Sequence, residues 1–153
     1  MKGLIIHEQT DMEDMLAVLG SMAADYNWLL SDYECSYYPS AKIPIAEHFV
    51  WLSGSEFVDI LREHKIQFIW GVASAFAKNI SIDDILSCPL PFADGNPDLW
   101  NTEVRLQNPL PDIEIVAWDS SLAIVIAKSK AVLEKYAKKY PGSENLTEYN
   151  RRK

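Results

Sequence analysis

The 153-residue chain is poor in glycine and cysteine and has no long hydrophobic run. Its six glycines are scattered and form neither the GxxxxGK[ST] nor the GxGxxG pattern that wraps a loop around a phosphate. The GxSxG and HExxH patterns of serine hydrolases and zinc proteases are also missing. No window approaches the roughly 18 apolar residues that span a bilayer, and the N-terminus lacks a signal-peptide core. We therefore expect a cytoplasmic protein with no membrane partner. The sequence does not identify a catalytic reaction by motif.

Cysteine usage argues against metal and redox chemistry. Cys35 and Cys88 lie far apart in the sequence, with no CxxC pair and no histidine cluster near either of them. Structural zinc sites and redox pairs need closer spacing. We expect two reduced thiols and no metal or other cofactor.

Positive charge is scarce over most of the chain. Residues 1–121 contain 6 Lys and Arg against 19 Asp and Glu, a net charge of -13, whereas residues 122–153 contain 8 against 3, a net charge of +5. An acidic body repels phosphate backbones, so nucleic acid is an unfavourable partner. The same electrostatic field attracts a basic protein.

What the chain does contain is a series of short apolar patterns separated by turn residues. Strands are predicted at 2–7, 26–30, 33–38, 45–52, 66–77, 113–118 and 122–127, and helices at 10–25, 53–64, 81–87 and 129–140. The five prolines of residues 88–111 predict an irregular segment, to which 99–106 could add an edge strand. This order predicts an α+β domain over residues 1–141, with a mainly antiparallel β-sheet and about four helices packed on it. Residues 142–153 are predicted to be a frayed tail.

The strongest local signals are a hairpin and two helix starts. Two apolar runs rich in β-branched residues meet at Asp119–Ser120, which predicts a tight antiparallel hairpin in the sheet interior. Thr10 with Glu13, and Ser53 with Glu56, have the spacing of capping boxes, in which two side chains satisfy the free amides at a helix start.

A dense group of aromatic residues lies in residues 25–40, DYNWLLSDYECSYYPS, which contain carboxylates but no basic side chain. The alternation predicts a hairpin that turns at Ser31–Asp32, with Tyr26, Trp28 and Leu30 facing inward and the strand over 33–38 partly outward. Tyr and Trp are favoured anchors in protein interfaces. We therefore predict a partner-binding surface formed by Asp32, Tyr33, Glu34, Tyr37 and Tyr38. A purely structural role, with one face buried on the first helix and the other merely wet, explains the same pattern.

Three histidines are the side chains that ordinarily titrate near neutrality. His7 ends a predicted strand, His48 lies in one, and His64 closes a helix, so each has a structural explanation. A site that pairs a histidine with a carboxylate or with Cys35 stays open as an alternative. It implies a small enzyme or small-molecule-binding protein with a pocket at the aromatic hairpin, using His48 or His64.

Two segments resemble known proteins. The YNW of Tyr26–Trp28, which follows the first helix, and the WDSSLAIVIAKS of Trp118–Ser129 resemble a family of short uncharacterised bacterial proteins, to which no activity is assigned. As a small, acidic, tryptophan-rich domain without catalytic motifs, the chain is also similar in type to the immunity proteins of contact-dependent and other polymorphic bacterial toxin systems. That likeness implies a non-enzymatic protein that covers the active site of a basic toxin, such as a nuclease, with carboxylates in place of phosphates.

Overall fold

A computed structural model describes residues 1–45 and 47–153. Seven strands lie within these residues: β1 (Gly3–Ile6), β2 (Tyr26–Cys35), β3 (Phe49–Ser53), β4 (Phe68–Ala77), β5 (Ile113–Trp118), β6 (Leu122–Ala127) and β7 (Glu144–Asn145). Six α-helices accompany them: α1 (Met12–Ala17), α2 (Met22–Asp25), α3 (Gly54–Glu63), α4 (Ile82–Leu86), α5 (Lys130–Lys139) and α6 (Leu146–Arg151). A 3₁₀ turn spans Pro97–Trp100.

The strands form one sheet in the order β3-β2-β4-β5-β6-β1-β7, and every neighbouring pair is antiparallel. This confirms the predicted α+β class with a mainly antiparallel sheet. The helices of the described residues number six rather than about four. One reason is that the helix predicted over 10–25 is divided into α1 and α2, since Gly20 between them has a φ of 60°, outside the helical range.

One side of the sheet, the helix face, packs against α1, α2, α3 and α5. Successive residues of a strand point to opposite sides, and on this side the strands contribute buried apolar side chains such as Leu30, Ala73 and Ile115. The helices cover them with residues such as Met15 and Phe57. The buried residues of this cluster belong to one continuous core.

The other side, the segment face, is covered mainly without regular helices. The covering segment, defined as residues 88–111, places Ala93, Leu99 and Val104 against the sheet, and α6 adds Leu146. The remaining part of this face packs on Ile85 of α4. The irregular structure predicted for the proline-rich residues 88–111 is confirmed, although residues 99–106 form no strand and the 3₁₀ turn overlaps their start.

Several local predictions are confirmed. Residues 113–118 and 122–127 pair as the predicted hairpin, and its turn residues Asp119 and Ser120 both adopt positive φ. The predicted central strand is β4, whose residues 71–76 are buried. Ser53 and Glu56 form both hydrogen bonds of a capping box at the start of α3.

The predicted hairpin over 26–38 is wrong. Residues 26–35 form one strand, β2, which pairs with β4 from Tyr26 to Cys35. Asp32 has a φ of 48°, but this residue lies at a shift in register between Ser31 and Glu34 instead of a reverse turn. Aspartate is common both in turns and at such bulges, because it tolerates a positive φ, so its presence does not distinguish the two.

Two other boundaries differ from the prediction. Helix α1 starts after Asp11 without a side-chain cap, so the predicted Thr10–Glu13 capping box does not form. The strand predicted over 45–52 is observed as Phe49–Ser53, and Ala46 lies outside the described residues.

The prediction of a frayed tail over 142–153 is also wrong. Glu144 and Asn145 pair with β1, and α6 follows directly. Leu146 is fully buried, while the Asn150 side-chain amide donates to the backbone carbonyls of Leu99 and Asn101. Apolar burial and these hydrogen bonds hold the C-terminal residues against the covering segment.

Candidate functional site

The structure places Asp32 and Tyr33 where the covering segment meets β2. The Asp32 carboxylate accepts hydrogen bonds from the backbone amides of Ala93 (2.8 Å) and Asp94 (3.0 Å). The Tyr33 hydroxyl donates to the backbone carbonyl of Pro44. Both predicted site residues therefore organise neighbouring loops, and their polar groups are already engaged.

The remaining three predicted residues lie at the end of β2 and just after it. Glu34 is exposed and its carboxylate bonds to no described residue, and the same is true of the Tyr37 hydroxyl. Tyr38 is half-buried, its ring lies tilted at 6.4 Å from that of Tyr33, and its hydroxyl accepts a hydrogen bond from the Cys35 amide. Glu34 and Tyr37 are thus the two members of the predicted set whose side chains are best placed to meet a partner.

A shallow pocket of about 260 Å³ lies beside these residues. Its lining brings together Asp32, Tyr33, Glu47, His48, Leu90, Pro91 and Phe92. His48, which the sequence placed in a strand, instead lies just before β3 and is exposed. It hydrogen-bonds to no carboxylate among the described residues, so the pocket holds the residue types of a general acid–base pair without the contact that would couple them.

The other two histidines have structural roles away from this pocket. His7 Nε2 lies 2.6 Å from Glu144 Oε2, and Arg152 lies 2.5 Å from the other oxygen of the same carboxylate. These hydrogen bonds, that of Arg152 first, lower the pKa of Glu144. His64 ends α3 next to Glu63, as the sequence predicted for a helix-closing residue.

The loop between β2 and β3 adds exposed apolar side chains to this region. Ile45 is 69% exposed, Tyr37 45% and Phe92 of the covering segment 43%. Lys42, the basic residue of the loop, is neutralised by Glu56 at 2.8 Å. We call the following residues of this region the acidic patch: Asp32, Glu34, Tyr37, Ile45, Glu47, His48, Phe92 and Asp94.

The ionisable groups under the acidic patch are held in their neutral forms. Burial raises the pKa of the Tyr33 hydroxyl to about 12, and the nearby Cys35, Glu47 and Tyr38 add to the shift. Burial, followed by the charge of Glu34, raises the pKa of the Cys35 thiol to about 12. Since the thiolate is the nucleophilic form, Cys35 is poorly suited to nucleophilic catalysis.

Sequence reasoning missed a second concave region, of about 450 Å³, in the covering segment. Leu90 and Phe92 border both this cavity and the shallow pocket. Arg105, Asp98 and Glu103 bring charge to its rim. Its lining comes from one irregular segment without a regular period, so no spacing rule could have revealed it.

It also missed a second aromatic cluster, whose Trp70 lies on β4 directly opposite Glu34 of β2. Trp118 lies 4.8 Å from Trp70 and 4.9 Å from Trp100, and Trp100 continues to Tyr149 at 6.4 Å. All four rings are half-buried. The high tryptophan content was the available signal, but residues 25–40 account for only one of the five tryptophans.

The third missed feature is a buried polar position in the middle of the segment face. Leu29, Ser74, Glu114 and Ile126 lie in one row across β2, β4, β5 and β6. Glu114 is fully buried, and its Oε1 accepts the Gln107 amide at 2.6 Å. The apolar run IEIVAW does not indicate that its glutamate is buried, because a strand with alternating polarity usually exposes such a residue to water.

The described residues contain no group of three or more His, Cys, Asp or Glu side chains that could hold a metal ion. Cys35 and Cys88 are unpaired. None of the helices in the described part of the chain is long and apolar enough to cross a membrane.

Neither a protein-family model nor a curated protein nor a solved structure matches this chain. The two resemblances drawn from the sequence therefore stay predictions.

Proposed function

We propose that the protein is a non-enzymatic protein-binding module, and specifically an immunity protein that neutralises a basic bacterial toxin. The observation that supports this best is the composition of the acidic patch. Tyr37, Ile45 and Phe92 are exposed, Phe92 lines the same pocket as Asp32 and Glu47, and the basic residue of the loop is already paired. Large apolar anchors within a polar rim are typical of protein interfaces.

The distribution of charge over the fold also supports a basic partner. The acidic patch lies at the β3-β2 end of the sheet. The basic C-terminal residues are carried by α5 and α6, which pack on β6, β1 and β7 at the opposite end. A basic protein that approaches this molecule is therefore oriented with its charge toward the patch.

The first experiment is co-expression with the toxin. We expect the adjacent upstream gene to encode a large secreted protein with a variable C-terminal toxic domain. Producing that domain in bacteria should stop growth, and this protein should restore it. Growth that stays arrested despite confirmed production of both proteins would contradict the proposal.

The second experiment places the interface. Glu34→Lys and Glu47→Lys should lower the association rate with the toxin domain, and the wild-type rate should fall as salt rises, because charges are screened beyond ~10 Å at 0.1 M salt. Tyr37→Ala should instead raise the dissociation rate and cost on the order of 2 kcal/mol of binding free energy.

The matched control is Glu134→Lys, which reverses an exposed carboxylate on α5 at the basic end of the molecule. It changes the net charge by the same amount as Glu34→Lys but should leave the association rate nearly unchanged. Asp32 is avoided in this test because its carboxylate holds the covering segment. Equal effects of Glu34→Lys and Glu134→Lys would show that net charge, and not the acidic patch, governs binding.

The shallow pocket supports a second candidate, a small-molecule-binding protein or small enzyme that uses His48. Its support is the meeting of His48 with Asp32, Tyr33 and Glu47 around one concavity. At about 260 Å³ this pocket is below the usual range for ligand sites, roughly 300–1,000 Å³, and for that reason we rank it second. A metabolite that stabilises the wild type against heat but not His48→Ala would favour it.

A further inference from the structure

Glu114 is anchored to the covering segment from inside the sheet. Its side chain is fully buried, and the Gln107 amide donates to Oε1 at 2.6 Å. Its Oε2 has no hydrogen-bond partner among the described residues, and neither has the Ser74 hydroxyl, which belongs to the residue directly opposite on β4. Buried polar atoms without a partner are rare and costly in folded proteins.

Gln107 connects Glu114 to the acidic patch through its own side chain. Its side-chain Oε1 accepts the Phe92 amide (2.9 Å), and its Nε2 donates to the Phe92 carbonyl (3.0 Å). The same Oε1 also accepts from the Asn96 side chain. Phe92 is one of the exposed apolar residues of the acidic patch, and the next two amides are held by Asp32. A continuous set of hydrogen bonds thus links Glu114 to the proposed interface.

The surroundings of Glu114 favour its neutral form. The groups that face it are Ser74 from β4, Ile126 from β6, and Gln107 and Asn108 from the covering segment, with Ile85 of α4 behind Asn108. The charged residues nearest along these elements are Lys78, Asp83, Asp84, Arg105, Asp112 and Lys128, and none of them contributes to its shift. Burial raises the pKa of the Glu114 carboxyl to about 8, and the amides of Gln107 and Asn108 oppose this only in part.

We propose that Glu114 is a proton-controlled positioning residue: its neutral carboxyl holds the covering segment on the sheet, and loss of the proton releases the segment together with the Phe92 part of the acidic patch. An ionised carboxylate at this position has no opposite charge nearby, so it reaches water only when the segment lifts. The consequence for partner binding rests on the proposed function. The opening of the segment does not.

The direction of the effect follows from proton linkage. The closed segment keeps the Glu114 proton to about pH 8, whereas an opened, hydrated carboxyl releases it at its ordinary value of 4.5. Between these limits opening releases one proton, and the equilibrium constant for opening therefore rises about tenfold per pH unit. Alkaline conditions favour the open segment.

Amide hydrogen exchange of the free protein tests this without any partner. After division by the intrinsic exchange rate at each pH, exchange of the amides of residues 105–110 should rise about tenfold per pH unit, while the amides of β5 and β6 change less. Glu114→Gln keeps an acceptor for the Gln107 amide but cannot ionise, so its exchange should not depend on pH. A flat profile in the wild type, or an equally steep one in Glu114→Gln, would overturn the proposal.

If Glu114→Gln does not fold, a measurement on the wild type alone still tests whether Glu114 keeps its proton in the folded protein. The ¹³C chemical shift of the Glu114 carboxyl should titrate close to pH 8, and a midpoint at the ordinary glutamate value would overturn the proposal. With the toxin domain as probe, its dissociation rate from the wild type should rise with pH more than from Glu114→Gln. Failure of the toxin domain to bind at all would count against the proposed function and leave the exchange result standing.

Discussion

The two faces of the sheet are covered in different ways, and they differ in polarity. On the helix face the strands contribute buried apolar side chains such as Leu30, Ala73 and Ile115. On the segment face the same three strands place Ser31, Ser74 and Glu114 in the interior. A helix satisfies its own backbone hydrogen bonds, so a sheet that packs on helices needs no polar groups for them.

An irregular segment leaves backbone donors and acceptors that the sheet must satisfy. The Ser31 hydroxyl donates to the Pro91 carbonyl (2.7 Å), Asp32 accepts from the amides of Ala93 and Asp94, and Glu114 accepts from Gln107. These contacts explain why strands that are otherwise apolar carry the buried polar residues Ser31 and Glu114 on this side. They also make the segment face sensitive to single polar substitutions and to pH.

The largest expected effect is the loss of stability when a buried phenylalanine ring is removed from either face, because each face can refill the resulting cavity to a different extent. Phe57→Ala on α3 removes a fully buried ring that packs at 5.7 Å on Trp28, and we expect a loss of about 3–5 kcal/mol in unfolding free energy. Phe76→Ala on the segment face removes an equally buried ring next to loops that can shift, so its loss should be near the lower limit. Urea denaturation of both variants measures the difference. A larger loss for Phe76→Ala would contradict the idea that the segment face adjusts more readily.

The second effect is the pH dependence of global stability. Because the Glu114 pKa is raised in the folded protein, the folded state binds more protons than the unfolded state between about pH 4.5 and about pH 8. The contribution of Glu114 is fully present below this range and is lost as pH rises through it, by up to about 1.4 kcal/mol per pH unit. Urea denaturation at several pH values should show this slope in the wild type and a shallower one in Glu114→Gln. Parallel slopes in the two proteins would show that other groups cause the dependence.

The smallest expected effect is local to the covering segment. The buried side chain of Asn96 accepts the Asp98 amide and donates to the Phe92 carbonyl and to Gln107. Asn96→Ala should destabilise the segment by about 1–3 kcal/mol, and limited proteolysis should cut within residues 88–111 before the rest of the chain.

The control for this substitution is Asn101→Ala in the same segment. Asn101 is exposed, and its side chain accepts only the Glu103 amide. Its removal should change the cutting rate little. Equal proteolysis of Asn96→Ala and the wild type would indicate that the hydrogen bonds of Asn96 do not hold the segment.

The candidate site was predicted from sequence in part. The aromatic and acidic character of residues 25–40 directed attention to Asp32, Tyr33 and Glu34, and the structure brings the first two together with His48. The sequence could not indicate that the polar groups of Asp32 and Tyr33 bind to neighbouring loops. Ala93, which donates to Asp32, is far from it in the sequence, and Pro44, which accepts from Tyr33, lies in an irregular loop. Phe92 and Ile45 were missed for the same reason.

The sequence by itself determined the elements whose signals are local. The β5–β6 hairpin follows from two apolar runs around Asp119–Ser120, and the start of α3 from the spacing of Ser53 and Glu56, because these patterns act over a few residues. Only the tertiary structure decided that β2 continues through Asp32, since pairing with β4 outweighs the local turn signal. It alone also decided that Glu114 is buried and that Leu146 docks, because both outcomes depend on which residues, distant in sequence, cover the segment face.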